Sequence, residues 1–240
     1  MPHALFVLAH QDDEIAFAAR MRQLLRDGWE ISVAYLTNGI RPDVRDGEAR
    51  AALACIGVDL ARVQFFGFPD GSLVDHLDDA LQRLERVTGV DAVYCLAWEG
   101  GHQDHDASHL VAAAIAARRG APCFETPLYH GRGRPGPFFR SFSPFGNGWA
   151  ARRMTWREVF DAVRLCRFHR SQRRTWLMLL PGLVVRRKEW TRRVDVERLR
   201  AKPHPGRLYY ERRFGVSWEE FEAKSRRFAA SLLPSRSRPC

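Results

Sequence analysis

The chain has 240 residues, of which 45% are hydrophobic and 28% are charged, and this composition excludes an intrinsically disordered protein. The length suits one large α/β domain, or one domain with an appendage. No apolar stretch reaches the length of a membrane-spanning helix, and no basic segment precedes the first apolar run as in a secretory signal. We therefore expect a cytoplasmic protein.

The net charge of +10 is distributed unevenly along the chain. Residues 1–130 carry a net charge of −8, whereas residues 131–240 carry +18. The basic part could face a phosphorylated sugar, a nucleotide, an anionic membrane or nucleic acid, or it could be no more than a solvated arginine-rich surface. The cysteines form no C-x-x-C pair and are expected to be reduced thiols: Cys55, Cys95, Cys123, Cys166 and Cys240.

The stretch ALFVLAHQDDE, from Ala4 to Glu14, organises the first half of the chain. Its continuous apolar run is typical of a strand that is buried on both faces of a parallel sheet. The acidic residues that follow favour the first turn of a helix, where they complement the positive end of the helix dipole. His10 to Asp13 is therefore expected to form a strand-to-helix turn at the carboxyl end of a strand, where α/β sheets bind ligands.

Strand-like and helical segments alternate up to residue 130. Strands are expected at Ala4–Ala9, Glu30–Leu36, Val63–Phe68, Ala92–Trp98 and Cys123–Tyr129, and helices at Ile15–Arg26, Arg45–Ile56, Leu77–Val87 and Ala107–Arg118. This alternation predicts an α/β fold with a Rossmann-like, mainly parallel sheet and helices on both faces. The strand order 3-2-1-4-5 would place the first and fourth strands side by side at the switch point.

The pattern is less regular after residue 130. Gly131–Gly148 is predicted to be a long loop near a substrate entrance, Thr155–His169 a helix, and Trp218–Leu232 the last helix. The apolar run Thr175–Val185 has basic flanks and is too short to span a bilayer; it could pack on the sheet or a second subunit, or contact a membrane surface. We divide the domain into a core, residues 1–130, and a basic extension, residues 131–240.

Histidine and aspartate concentrate in the two turns that follow the first and fourth strands. The first turn contains His10, Asp12 and Asp13, and the second, from Glu99 to His105, contains His102, Asp104 and His105. A hydrolytic zinc site requires three such ligands and a carboxylate that remains free to take a proton from water. Each turn alone is weak evidence, because an aspartate at a helix start is often only a cap. Together, after neighbouring strands, they predict a metal site.

The two turns resemble motifs of the LmbE-like (PIG-L) family of zinc-dependent deacetylases. AHQDDE resembles the family's A-H-P-D-D-E, and GGHQDHD its H-P-D-H. RDGEARAALACIG (Arg45–Gly57) is similar to the family's R-x-x-E helix, FGFPDGSL (Phe66–Leu73) to its P-D-G-x-L turn, and HRSQ (His169–Gln172) to a later Y-x-S-Q segment. The resemblance covers the chain well to about residue 130 and implies removal of an acetyl group from N-acetylglucosamine-type sugars.

The resemblance also implies a role for each residue of the two turns. His10, Asp13 and His105 would be the zinc ligands, although another divalent metal could replace zinc. Asp12 would be the general base, and a protonated His102 would stabilise the oxyanion or protonate the leaving amine.

Three further positions are candidates: Asp104 from the chemistry of metal sites, and Arg45 and Asp70 from the family pattern. Asp104 would orient a histidine ligand from the second coordination shell. Arg45 and Asp70 would contact the sugar, but Arg45 could instead pair with Glu48 on its own helix, and Asp70 could simply form its turn. The family's prolines are replaced by glutamines, which is expected to loosen both turns: Gln11 and Gln103.

The sequence therefore predicts a metal-dependent amide hydrolase acting on an N-acetylated amino sugar or a conjugate of one, with an anionic conjugate favoured by the basic extension. One alternative is a metal-dependent phosphoesterase, because clusters of Asp and His also build two-metal sites. Another is a non-catalytic basic binding module, although no nucleic-acid motif is present and nucleic acid is not an expected partner. Contact with a membrane surface and oligomer formation are compatible with the sequence.

Overall fold

The computed structural model describes residues 1–136 and 138–232. Within these residues the strands are β1 His3–Leu8, β2 Glu30–Asn38, β3 Val63–Pro69, β4 Ala92–Leu96, β5 Cys123–Thr126, β6 Tyr129–His130, β7 Arg140–Ser141, β8 Ala150–Arg153 and β9 Lys188–Arg193. The α-helices are α1 Ala18–Arg26, α2 Pro42–Ile56, α3 Leu77–Leu84, α4 Gln103–Arg119, α5 Trp156–Leu165, α6 Arg173–Arg186, α7 Tyr209–Arg213 and α8 Trp218–Ser231. Short 3-10 helices include Asp13–Phe17, Leu73–His76 and Arg170–Gln172.

The main sheet of the described chain has seven strands in the order β3-β2-β1-β4-β5-β9-β8. The first five are parallel and have the predicted order, so the ends of β1 and β4 are neighbours. Two antiparallel strands, β9 and β8, extend the sheet beyond β5. The predicted α/β class with a mainly parallel sheet is confirmed.

Strand β1 is buried on both faces, as its continuous apolar run predicts. Leu5 and Val7 belong to the core that β1 shares with α3, α4 and α8. Ala4, Phe6 and Leu8 belong to the opposite core, which includes α1, α2, α5 and α6. Because successive side chains of a strand point to opposite faces, helices on both faces are needed to cover this sequence.

Several element boundaries differ from the prediction, and two of these differences bear on the site. Helix α4 begins at Gln103, so Asp104 and His105 lie on its first turn and not in a loop, because the ring of His102 caps the helix by accepting a hydrogen bond from the Asp104 N–H at 3.1 Å. Strand β5 ends at Thr126, before the predicted Tyr129. The side chain of Glu99 accepts the next backbone N–H groups, those of residues 128 and 129, and thereby ends the ladder.

The apolar run Thr175–Val185 forms most of helix α6. The inner face of this helix packs into the core through Trp176, Leu179 and Leu183, while Leu177 and other residues of its outer face are exposed. Packing on the body of the domain is therefore confirmed for one face of α6. No helix in the described part of the chain is both long and apolar enough to cross a membrane.

The basic extension contributes β8 and β9 to the same sheet as the core. The division of the chain at residue 130 stays a prediction. The helix that was expected to reach His169 ends at Leu165.

The described cysteines are free thiols, as expected: Cys55, Cys95, Cys123 and Cys166. Cys240 lies outside the described residues.

A buried polar network connects the basic extension to the first turn. Glu14 is fully buried, and its two carboxylate oxygens contact the His169 Nε2 atom at 2.5 Å and the Tyr35 hydroxyl at 2.7 Å. Burial lowers the pKa of His169, but the Glu14 carboxylate outweighs burial and raises the pKa above its ordinary value of 6.5. His169 and Glu14 therefore form a buried ion pair whose strength depends on pH.

We predict that His169→Ala lowers the free energy of unfolding by about 3–5 kcal/mol, because Glu14 is left as a buried carboxylate without its counter-charge. A histidine whose pKa is raised by folding stabilises the protein fully below the pKa of the unfolded state, and this contribution is lost as the pH rises through the folded pKa. The loss should therefore be largest below about pH 6.5 and smaller in alkaline solution. Urea unfolding of both proteins over a pH series measures it.

Ser171→Ala is the matched control from the same segment. Ser171 donates hydrogen bonds to Glu48 at 3.1 and 2.6 Å, but it lies at the exposed surface. Its replacement should change the urea midpoint little at any pH. Equal midpoints for wild type and His169→Ala would show that the buried pair does not hold the extension to the core.

Candidate metal centre and active site

The ends of β1 and β4 open into one cavity of about 210 Å³. All but one of the site residues predicted from the sequence line this cavity: His10, Asp12, Asp13, Arg45, Asp70, His102 and His105. The exception is Asp104, which lies behind His10. Residues that are far apart in the sequence meet here because β1 and β4 are adjacent and parallel.

Three buried side chains bring metal-binding atoms together. His10 Nδ1 lies 3.1 Å from His105 Nε2, Asp13 Oδ1 lies 3.2 Å from His105 Nε2, and Asp13 Oδ2 lies 3.8 Å from His10 Nδ1. Tetrahedral zinc with bonds of about 2.0–2.1 Å separates its ligand atoms by about 3.3 Å. Two imidazole nitrogens and a carboxylate at these distances therefore fit a divalent metal such as zinc.

The other ring nitrogen of His10 faces two carboxylates. His10 Nε2 lies 3.1 Å from Asp70 Oδ1 and 3.5 Å from Asp104 Oδ2. Asp104 is itself fixed, because its oxygens accept the backbone N–H groups of Gly71 and Leu73. A carboxylate that holds the outer nitrogen of a histidine fixes the ring orientation and directs the opposite nitrogen toward a metal. Asp70 thus contacts His10 and does more than form its own turn.

His10 and Asp70 also belong to a second group of candidate ligands, together with His102. This group uses the same histidine as the first group, and the Asp70 side chain is 42% exposed, whereas the first group is buried throughout. Burial of a carboxylate is costly unless it is paired or binds a metal. The first group, His10 with Asp13 and His105, is therefore the better candidate for a permanent metal.

Asp12 lies outside both ligand groups. Its Oδ2 atom accepts a hydrogen bond from the indole N–H of Trp176 at 2.8 Å, and its Oδ1 atom lies 3.3 Å from the guanidinium of Arg45. The backbone of Asp12 has φ 150°, which side-chain-bearing residues rarely adopt. Such strain is concentrated at functional sites, where the surrounding structure imposes it.

Arg45 reaches Asp12 because Gly39 leaves space for it. A Cβ atom at Gly39 would lie 2.3 Å from the Arg45 guanidinium. The guanidinium also donates to the Gln11 carbonyl oxygen at 3.3 Å, and Glu48 instead accepts hydrogen bonds from Ser171. The alternative expectation of an Arg45–Glu48 pair is therefore wrong.

The two adjacent aspartates have different proton affinities. Burial and the neighbouring charge of Asp13 raise the pKa of Asp12 to about 6, against the attraction of Arg45. Burial also acts to raise the pKa of Asp13, but His105 and His10 outweigh it and hold the pKa at about 2. Titratable neighbours whose environments separate their pKa values are typical of a division between proton transfer and charge-holding roles.

His102 is oriented by the start of helix α4. Its Nδ1 atom accepts the N–H of Asp104, so the ring proton is on Nε2. Burial and the nearby His10 lower the pKa of His102 to about 3. The arrangement favours a neutral imidazole that donates a hydrogen bond through Nε2, whereas a protonated His102 is expected from the sequence.

The expectation that Gln11 loosens the first turn is wrong. Gln11 is fully buried, and its amide NH2 group has three acceptors within hydrogen-bond distance: the Thr37 carbonyl at 3.1 Å, Asn38 Oδ1 at 2.6 Å and Asp46 Oδ1 at 2.8 Å. The turn is thereby tied to the end of β2 and to α2. Side-chain hydrogen bonds replace the rigidity that a proline ring would supply.

Several cavity residues come from the basic extension and were not identified from the sequence: Gln172, Thr175, Trp176, Leu179 and Phe214. In the sequence, Trp176 is only one residue of an apolar run. Its contact with Asp12 could not be predicted, because the two residues are 164 positions apart and no motif links them. The HRSQ resemblance, directly before this helix, was the one available indication that the segment returns to the site.

Residues 5–116 match the family model PIG-L, described as GlcNAc-PI de-N-acetylase. This part of the chain is similar to the PIG-L family. The matched residues contain both turns of the site and strands β1 to β4. A search of curated proteins gives no significant match.

Solved structures share the fold of this chain. A deacetylase of teicoplanin biosynthesis superposes with a TM-score of 0.62 at 16% identity, covering 80% of this chain and 99% of that chain. N,N′-diacetylchitobiose deacetylase from Pyrococcus horikoshii gives 0.58 at 15% identity, covering 80% and 83%. 4-Carboxy-2-hydroxymuconate hydratase from Pseudomonas putida gives 0.52 at 16% identity, covering 81% and 97%. Because the fold also carries a hydratase, the reaction has to be argued from the site.

We predict that His105→Ala removes the bound metal from purified protein, whereas His102→Ala leaves it in place. The reason is that His105 belongs to the buried ligand group and His102 only to the half-exposed one. Metal content per chain, measured by plasma mass spectrometry alongside circular dichroism of both variants, tests this. Metal loss from His102→Ala with retention in His105→Ala would assign the metal to the second group.

Proposed function

We propose that this protein is a metal-dependent deacetylase that hydrolyses the N-acetyl group of an amino sugar or of a conjugate that carries one. The observation that carries the proposal is a buried ligand group of two histidines and Asp13 beside a second carboxylate, Asp12, that no ligand group includes. The match of residues 5–116 to a de-N-acetylase family supports the same reaction. This combination supplies a metal position and a proton acceptor within one cavity.

His10, Asp13 and His105 would hold the metal. When bound, a divalent cation such as zinc lowers the pKa of water and polarises a carbonyl oxygen, which is the chemistry that amide hydrolysis needs. We propose zinc as the metal, although another divalent cation could replace it. One solved form of the teicoplanin deacetylase is described as zinc-inhibited. Asp104 and Asp70 fix the His10 ring from behind, so that its Nδ1 atom stays directed at the metal position.

Asp12 would take the proton of the attacking water. With a pKa of about 6, the Asp12 carboxylate is ionised at neutral pH. Because this pKa is close to 7, the carboxylate can accept a proton and release it again. Trp176 and Arg45 each hold one of its oxygens, which restricts the carboxylate to one orientation. This pre-organisation is the contribution we assign to helix α6.

His102 would donate its Nε2–H to the oxygen on which negative charge develops. A neutral imidazole can serve as such a donor, as an amide or a backbone N–H does in other oxyanion sites. The hydrogen bond from Asp104 N–H to Nδ1 selects the required tautomer without an ionised partner. The proposed donor is therefore a neutral His102, and not the protonated His102 expected from the sequence.

The substrate is proposed to place one N-acetylated sugar ring in the site and the rest of a conjugate outside it. A cavity of about 210 Å³ is smaller than the sites that enclose drug-sized ligands, about 300–1,000 Å³. A second cavity of about 560 Å³ shares Trp176 with the first and is lined by Arg167, Arg170 and Arg173. These arginines support an anionic conjugate, such as a sugar linked to a phosphate group.

A phosphoesterase is the second candidate function. The second ligand group, which shares His10 with the first, is the observation that favours it, because two-metal sites often share ligands. One metal ion per active chain supports the deacetylase, and two would support the phosphoesterase. A cytoplasmic location and the absence of nucleic-acid binding stay predictions, and self-association stays compatible with the sequence.

We predict that Asp12→Asn keeps the metal and lowers kcat by about 10²–10⁴-fold, because an amide cannot accept the proton of water. Metal content and amine release from a panel of N-acetylated sugars measure the two effects. Asp46→Asn is the matched control, since Asp46 accepts a hydrogen bond from Gln11 but does not line the cavity. Metal loss from Asp12→Asn would show that the two adjacent aspartates have exchanged roles.

We also predict that kcat/KM for a nucleotide- or lipid-phosphate-linked N-acetyl sugar exceeds that for the free sugar and falls as salt is added, while kcat changes little. The reason is that arginines outside the chemical site act on substrate capture, and their attraction is screened within about 8 Å at physiological salt. Arg167→Gln should reduce this preference, whereas Arg227→Gln, on α8, should not. Equal turnover of neutral and anionic substrates would reject the anionic conjugate and leave the metal site unaffected.

A further inference from the structure

Helices α5 and α6 form a hairpin whose outer side is unusually apolar. Ten large hydrophobic residues are exposed in the described chain, and six of them lie on these two helices: Trp156, Phe160, Leu177, Met178, Val184 and Val185. Trp156 is 62% exposed, Phe160 67% and Val185 82%. Such a concentration of apolar surface on a water-soluble domain marks an interaction site.

The two helices are joined by a contact between the start of α5 and the end of α6. The guanidinium of Arg187, which caps α6, lies 4.1 Å from the ring centroid of Trp156, the first residue of α5. The inner faces of both helices also belong to the same hydrophobic core. The exposed apolar residues therefore lie along one hairpin, which we call the α5–α6 face.

The α5–α6 face is also strongly basic. Residues 156–188 contain nine Lys and Arg against two acidic residues. Both acidic side chains are occupied elsewhere, since Glu158 pairs with Arg152 at 2.8 Å and Asp161 with Arg22 at 3.6 Å. The positive charge of the hairpin is thus not neutralised from within, and it surrounds the exposed apolar residues.

We propose that the α5–α6 face docks on an anionic phospholipid membrane. Exposed Trp, Phe and Leu with flanking arginines are the composition of helices that lie in the membrane interface, where apolar side chains enter the lipid and the basic ones contact headgroups. A second copy of this chain is disfavoured as the occupant, because a two-fold contact would bring the two sets of arginines against each other.

Docking in this orientation would place the candidate site close to the lipid surface. Trp176, Thr175 and Leu179 of α6 line the site cavity, while Leu177, Met178 and Val185 lie on the exposed side of the same helix. The diameter of a helix with its side chains is about 10–12 Å. The proposal does not depend on the deacetylase reaction, because membrane docking is measured without a substrate.

The test is co-sedimentation of the full chain with vesicles of phosphatidylcholine alone and of phosphatidylcholine mixed with phosphatidylglycerol. The protein should bind the anionic vesicles, and binding should weaken as salt is added. Arg157→Gln with Arg174→Gln should weaken binding by about fivefold for each arginine. Leu177→Gln with Met178→Gln and Val185→Gln should weaken it by about tenfold or more. All five side chains are exposed, and none of them lines the site cavity.

Arg226→Gln with Arg227→Gln is the charge-matched control, because these exposed arginines of α8 lie outside the α5–α6 face. If this control weakens vesicle binding as much as the Arg157 and Arg174 variant does, the attraction comes from net charge and the proposal is rejected. Failure of the wild type to bind anionic vesicles also rejects it. A concentration-dependent dimer that the apolar variant dissociates, without vesicle binding, would assign the face to a second copy of the chain.

Discussion

Two buried carboxylates stand side by side at the end of β1, and the structure around them is arranged to compensate their charge. Adjacent negative groups removed from water repel each other strongly, so each needs its own partners. Asp13 obtains them from His105 and the backbone of His10, while Asp12 obtains them from Arg45 and Trp176. These partners come from α4, α2 and α6, so three helices converge on one turn because of this constraint.

The shared fold does not by itself select a chemistry. The parallel sheet explains why the ends of β1 and β4 meet, but a hydratase uses a similar scaffold. The feature of the present site that bears on its chemistry is the inequality of its two aspartates, one bound by histidines and the other by an indole and a guanidinium. That inequality is a property of particular side chains and their burial, and it supports hydrolysis more directly than any superposition does.

Much of the core could be predicted from the sequence because its signals are local. Continuous apolar runs identify buried parallel strands, and the spacing of His and Asp after β1 and β4 identifies candidate ligands. The start of α4 at Gln103 was missed because a histidine cap is rare, and the end of β5 was missed because the side chain of Glu99 replaces strand hydrogen bonds. The tautomer of His102 and the Trp176 contact depend on tertiary packing, which periodicity does not encode.

The basic extension has a consequence for how the charge asymmetry of the chain should be understood. Glu125 on β5 is almost fully buried, and Arg192 on β9 supplies a guanidinium within 2.6 Å of it, with Arg198 at 3.4 Å. His169 does the same for Glu14. Some of the positive charge after residue 130 is therefore internal counter-charge for acids before it. A chain ended at residue 130 would keep these carboxylates without cations and would expose β5 as an unpaired sheet edge, a combination that favours aggregation over folding.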